Sequence, residues 1–194
     1  MRSLKLALLL AGASAAWASV SRAEEADSGL RYLRTFASSS VGRGLRFNNP
    51  YRLRTQLGDG PESLSLTASY FDLGLGVSAG DPHGLEHGAV AHLSFALDGI
   101  SQEVGSLSYL ALLPFGRDFI ASARAGVPVV FAPDFSVGLE LGVGATWLVT
   151  GGIGVTAELV PSLFFGAATW EADPTLVPMV SLQLGGYVEY ELLP

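Results

Sequence analysis

Three groups of side chains in this sequence have the types and spacing for chemistry. Arg124, Glu140 and Glu158 are scattered ions in a chain of which only 15% is charged. An arginine between two carboxylates can gate an ion or pass a proton. It can equally be a structural network, since a charge held away from water is costly unless paired, and that is the expectation here. Asp81, His83, Glu86 and His87 crowd the stretch DPHGLEHG. Two imidazoles and two carboxylates can ligate a metal, but Gly84 and Gly88 make the stretch a loop, and a solvated loop without metal is expected. His92 and Ser94 fall on one face of an alternating segment, where a base and a hydroxyl could serve a nucleophilic mechanism. No further motif surrounds them, so they are read as hydrogen-bonding filler. The glycines of LGVGATW and TGGIGV precede no Gly-Lys-Ser and no helix that could cradle a phosphate. No catalytic residue, no enzymatic activity and no cofactor is expected.

The elements that carry these residues follow from periodicity. Seventeen uncharged residues separate Glu140 from Glu158, close to the length of a membrane helix. Their two parities differ, however. Val137, Leu139, Leu141, Val143, Ala145 and Trp147 are apolar, while Ser136, Gly138, Glu140, Gly142, Gly144 and Thr146 are small or polar. That is period two, the mark of a strand with unlike faces. A helix would also carry three interior glycines at about 1 kcal/mol each. After the turn VTGG the pattern resumes with Ile153, Val155, Ala157 and Leu159 opposite Gly154, Thr156 and Glu158, so the stretch is a hairpin.

The same alternation runs through 89–98, 119–130 and 180–192. It also runs through 64–79, with a slip near Tyr70-Phe71 read as a β-bulge. Residues 106–113 are apolar on both parities. Eight strands are predicted, near 44–57, 63–79, 88–99, 105–114, 118–130, 135–148, 152–165 and 177–192. On the first, Arg46, Arg52 and Arg54 share a face. Arg124 then falls opposite Glu140 or one pair away, with Glu158 on the next strand. Hence Arg124, Glu140 and Glu158 are expected to cluster.

The N-terminus reads as a secretory signal peptide over 1–23. Arg2 and Lys5 precede the short apolar run LALLLAGASAA, and two small-x-small sites follow, with cleavage expected after Ala23 rather than Ala18. Three of the 11 basic residues lie in that segment, so the remainder holds eight arginines, no lysine and all 18 acids. Such an acidic chain is not expected to bind nucleic acid. It has no cysteine, hence neither a disulfide framework nor a thiolate metal site. Residues 24–43 are polar and read as an N-terminal periplasmic arm, leaving 44–194 as the single barrel domain.

Sidedness decides the environment. A soluble barrel turns its apolar face inward; a membrane barrel reverses this. Here the polar face is Gly, Ser and Thr rather than the Lys and Glu of a soluble surface, which suits a narrow filled lumen. The apolar face runs for five or six alternate positions, roughly 28 Å of height at a 40° tilt, against an apolar band of about 25 Å. Tyr51, Tyr70, Phe71, Tyr109, Trp147, Phe165 and Tyr190 near strand ends suit an interfacial girdle. Closure is required as well, because an open sheet edge cannot be satisfied in hydrocarbon.

With the signal peptide, the alternation and the final strand QLGGYVEYELLP, the chain resembles the small, eight-stranded bacterial outer-membrane β-barrel proteins. The resemblance spans about residues 44–192. It implies that Gln183, Gly185, Val188 and Tyr190, a polar residue, a glycine and two spaced apolar residues, form the signal read by the barrel-assembly machinery. The usual terminal aromatic is absent.

The fold expected is all-β, a closed antiparallel up-and-down transmembrane β-barrel of eight strands. It would be a monomer in the bacterial outer membrane, in contact with outer-membrane lipids. The function expected is structural or loop-mediated binding around a filled lumen. A narrow channel for small or hydrophobic solutes, a soluble periplasmic ligand-binding barrel and an outer-membrane lipid-modifying enzyme are the alternatives. One length sits poorly: with both termini periplasmic, the GDPHGLEH connection is long for a periplasmic turn. A strand over 30–38, with one of the eight failing, would change that count.

Overall fold

The computed structural model of the protein describes residues 32–47, 65–81, 83–99, 101–133, 135–166 and 176–193. They form β1 (Tyr32–Arg46), β2 (Ser65–Leu66), β3 (Tyr70–Gly80), β4 (Glu86–Ala96), β5 (Glu103–Phe115), β6 (Phe119–Ala132), β7 (Ser136–Thr150), β8 (Ile153–Gly166) and β9 (Val177–Leu193). All but the two-residue β2 close into one antiparallel up-and-down barrel. Each long strand pairs with the next, and β9 returns to β1. The fold is a transmembrane β-barrel of eight strands.

Closure fixes the stagger. Hydrogen-bonded partners can be followed once around the wall from Phe36 through Gly76, Val90, Ser108, Gly126, Glu140, Ser162 and Met179. The path returns to β1 at Arg46, ten residues above its start. Ten residues of stagger over eight strands tilt the strands by roughly 40° and set a backbone radius of about 8 Å. That width is narrow enough for side chains to reach across it.

Alternation then sorts the residues. Leu75, Leu139, Leu141, Val143, Val155, Leu182, Leu184 and Val188 face out and are exposed, while Asp72, Ser78, Glu86, Ser108, Arg124, Glu140 and Gln183 face in and are buried. A continuous apolar outer belt over a charged interior is inverted relative to a soluble protein. The belt has aromatic margins. Phe119 and Trp147 stack at 6.4 Å near one end, with Phe115 and Tyr190 exposed beside them; Phe131, Phe135 and Phe165 are exposed near the other. Twelve residues separate Phe119 from Phe131 on β6, roughly 30 Å of height at this tilt. The girdle expected at Tyr109, Trp147, Phe165 and Tyr190 faces outward. Tyr70 does not: it turns into the lumen, where its hydroxyl accepts a hydrogen bond from Gln183. Tyr51 lies outside the described residues.

The two ends differ. At the end carrying Tyr32 and Leu193, the connections are 81–85, 116–118 and 151–152. Gly116, Gly151 and Gly152 have positive φ there, a conformation glycine adopts without steric penalty. At the other end the chain spends 47–69 between β1 and β3, with β2 inside that span, and 167–176 between β8 and β9.

Two expectations need correction. The first barrel strand is Tyr32–Arg46, not 44–57, so the barrel begins within the segment read as an arm. The middle of its inner face, Phe36, Ser38 and Ser40, is small or apolar, and its outer face includes Ala37 and Ser39. A strand with so weak a contrast reads as polar linker. The parity slip near Tyr70-Phe71 is a bulge, as expected: Leu66 pairs with Leu45 and Tyr70 with Gly42, so three residues, 67–69, face two on β1. The connection before β4 is five residues, because β4 starts at Glu86. The signal segment 1–23, the remainder of the arm to Arg31, and Arg52 and Arg54 lie outside the described residues.

Candidate functional site in the barrel lumen

The lumen is layered. At the end bearing the short turns, Arg34 from β1 reaches across the seam. Its Nη2 donates to Glu86 Oε1 on β4 at 2.9 Å and its Nη1 to Glu189 Oε2 on β9 at 2.7 Å. Ser78 donates to the second oxygen of Glu86 at 2.7 Å, and Tyr187 to Glu189 at 3.0 Å. The guanidinium also lies 5.1 Å from the centre of the Tyr32 ring, within the range of a cation–π contact. Glu86 is wholly buried. A carboxyl group so placed persists only because each oxygen has a donor.

Above this layer the lumen is apolar. Phe36, Val90, Leu110, Leu112, Ile120 and Tyr187 pack together, with Leu148 against them. Phe36 and Tyr187 stack at 5.5 Å. Phe36 can lie flat only because its partner on the neighbouring strand is glycine: a Cβ on Gly76 would enter its ring. The expectation of a lumen filled only by small residues and ions is thus incomplete. Its signal was present in residues 106–113, where Leu110 and Leu112 occupy the parity opposite Leu107, Tyr109 and Leu113.

The next layer brings together Arg124, Glu140 and Glu158. Arg124 Nε donates to Glu158 Oε1 at 2.6 Å, and its Nη1 donates to Glu140 Oε1. Ser108 also donates to that oxygen, at 2.9 Å. Arg124 pairs across the strands with Gly142, and Glu140 with Gly126, one inward pair apart. A side chain at 142 would collide with Arg124 and Glu158, so this glycine makes room for the ion pairs to cross. A cavity of about 60 Å³, lined by Ser38, His92, Arg124, Glu158 and Tyr187 among others, separates this layer from the apolar one. It has room for a few waters among polar partners.

On the opposite wall, Asp72 holds both residues of the His92 and Ser94 pair. His92 Nδ1 lies 2.7 Å from Asp72 Oδ1, and Ser94 donates to Oδ2 at 2.5 Å. The hydroxyl therefore meets the carboxylate and not the imidazole, unlike the nucleophile–base–orienter relay of a hydrolase. The DPHGLEHG residues disperse. Glu86 turns inward to Arg34, whereas His87 turns outward to the Tyr109 hydroxyl. Among the described residues no group of three His, Asp or Glu side chains is placed to hold a metal ion.

The residues of the expected assembly signal lie on β9. Gln183 and Gly185 face the lumen, while Val188 and Tyr190 face outward and are exposed. Gln183 Nε2 donates to Tyr70 at 3.1 Å, and its carbonyl accepts from Ser40 at 3.4 Å, so it has a part in the lumen as well.

No protein-family model matches the sequence, and a search of curated proteins finds no match. Among solved structures, the chain is similar to Neisserial surface protein A at 12% identity, over 80% of this chain and 97% of that one, with a TM-score of 0.47. A second similar structure, titled as a de novo design of transmembrane β-barrels, is 11% identical over 80% of this chain and 95% of that one, with a TM-score of 0.42. Both likenesses are likenesses of barrel architecture, which the strand pairing of this chain establishes by itself.

Proposed function

We propose that this chain is a bacterial outer-membrane protein in which a solid barrel anchors and spaces the long connections at one end, in a structural or loop-mediated binding role. The observation that carries this reading is the stacked lumen. The Arg34 ion cluster, the apolar layer and the Arg124 ion cluster succeed one another along the axis. An eight-stranded barrel leaves an interior just wide enough for side chains, and these occupy it apart from two cavities of about 60 and 90 Å³. The asymmetry of the ends supports an orientation with the short turns in the periplasm and the long connections outside. Outer-membrane lipids would contact the belt. The barrel-assembly machinery would read Gln183, Gly185, Val188 and Tyr190, and the monomer would suffice, since the sheet has no open edge to pair.

The test is conductance in a planar bilayer. The purified barrel should show no steady openings, and steady single-channel steps would overturn the filled-lumen reading in favour of a narrow channel. Recovery of the protein in the soluble periplasm, on fractionating the cell envelope, would overturn the outer-membrane reading separately.

A further inference from the structure

We propose that the cavity at the long-loop end of the lumen is a binding site for small organic cations: an ammonium or amine head on a short apolar body. The cavity measures about 90 Å³ and lies above the Arg124 layer. Val160, Phe164 and Met179 give its wall apolar surface, interrupted by the side chains of Ser94, Ser162 and Ser181, and Glu140 and Tyr70 lie at its floor. Apolar walls with a few convergent polar groups are the ordinary composition of a small-molecule site.

The charge of the ligand follows from the floor. Glu140 is about nine-tenths buried, and only one of its oxygens is used. Oε1 accepts from both Arg124 and Ser108, whereas Oε2 has no hydrogen-bond partner among the described residues. The cluster also carries one positive charge against two carboxylates. A buried excess of negative charge is costly in a low dielectric, and the cavity beside Glu140 is the space in which a counter-charge can sit. A donor placed there completes Glu140 and brings the cluster to neutrality, while its alkyl body covers Val160 and Phe164. An inorganic cation would satisfy the charge and leave the wall bare. A neutral alcohol would do the reverse. The site is independent of which membrane holds the barrel and of whether the lumen conducts.

The experiment is calorimetric titration of the full-length barrel, refolded in a non-ionic detergent, with n-butylammonium. Butanol, butyrate and sodium are titrated in parallel, and the alcohol corrects for partition into micelles. Butylammonium should bind saturably, and at least about tenfold more tightly than butanol, as a charge-assisted hydrogen bond predicts. Glu140→Gln should remove that preference. Ala96→Phe, which places a ring at the cavity margin, should weaken both ligands while leaving the ion cluster in place. Glu189→Gln, in the lower cluster, should leave binding unchanged. Equal binding of butanol and butylammonium, preference for butyrate, full displacement by equimolar sodium, or no saturable binding would each overturn the proposal.

Discussion

The two ion clusters of the lumen are built alike and held differently. Each is an arginine between two glutamates with a serine hydroxyl on one carboxylate. The Arg124 cluster joins β6, β7 and β8, neighbours in sequence and in the wall. The Arg34 cluster joins β1, β4 and β9, and its partners are 52 and 155 residues away. It ties the closing pair of strands. Burial differs too: the side chains of Glu86 and Glu189 are 0% and 7% exposed, those of Glu140 and Glu158 9% and 14%. The same three charges thus lock the seam in one place and line cavities in the other.

The sharpest way to break this comparison is to remove each arginine. Arg34→Met leaves two carboxylates buried at the β1–β9 seam and should cost about 3–5 kcal/mol, the cost of breaking a buried pair. Arg124→Met should cost less, about 3 kcal/mol or below, because its partners border cavities and can be hydrated. Unfolding in urea from lipid vesicles, read alongside heat-modifiable gel mobility, measures both. Equal losses would mean that closure adds nothing, and an unaltered Arg124→Met barrel would remove the structural role of that cluster.

A smaller effect is expected from glycine. Gly76→Val drives a side chain into the Phe36 ring, and overpacking of this kind costs about 1–3 kcal/mol. The same denaturation curve reads it, and no change would mean that the apolar layer yields freely. Smaller again is Glu158→Gln. The amide carbonyl still accepts from Arg124 Nε, and the cluster loses its excess negative charge, so the change should stay within about 1 kcal/mol of zero. A loss as large as that of Arg124→Met would refute the neutrality reasoning.

The smallest effect lies outside the membrane span. In the connection after β4, Asp98 accepts from the Ser69 amide at 2.9 Å. Hydrogen bonds from the Ser69 hydroxyl and amide hold its carboxyl below the usual range. A lowered carboxylate pKa contributes stability above the ordinary value, and that contribution is lost as pH falls through the folded-state value. Asp98→Asn should therefore flatten the acid side of the stability profile slightly, and unfolding midpoints at pH 7 and pH 3 check the sign.

Sequence patterns found the Arg124 cluster and missed the Arg34 cluster for the same physical reason. Register across a short turn is fixed by turn length, so Arg124, Glu140 and Glu158 could be aligned by counting. Nothing local relates Arg34 to Glu86 and Glu189. That juxtaposition exists only when β9 closes on β1 with a ten-residue stagger, and β1 itself is poorly marked. Parity alone puts Asp72 on the face opposite Leu73 and Leu75, but its contact with His92 and Ser94 depends on the β3–β4 register.

What the chain determined by itself is the sorting of faces. Side chains alternate along any strand, so Leu139, Leu141 and Val143 must stand opposite Glu140 and Gly142, whatever the surroundings. The scarcity of charge then decides which face meets lipid. What only the tertiary structure decided is which inward residues meet. In a closed barrel that depends on stagger, a property of all eight strands together, and it alone puts Phe36 on Tyr187 and Arg34 between two distant glutamates.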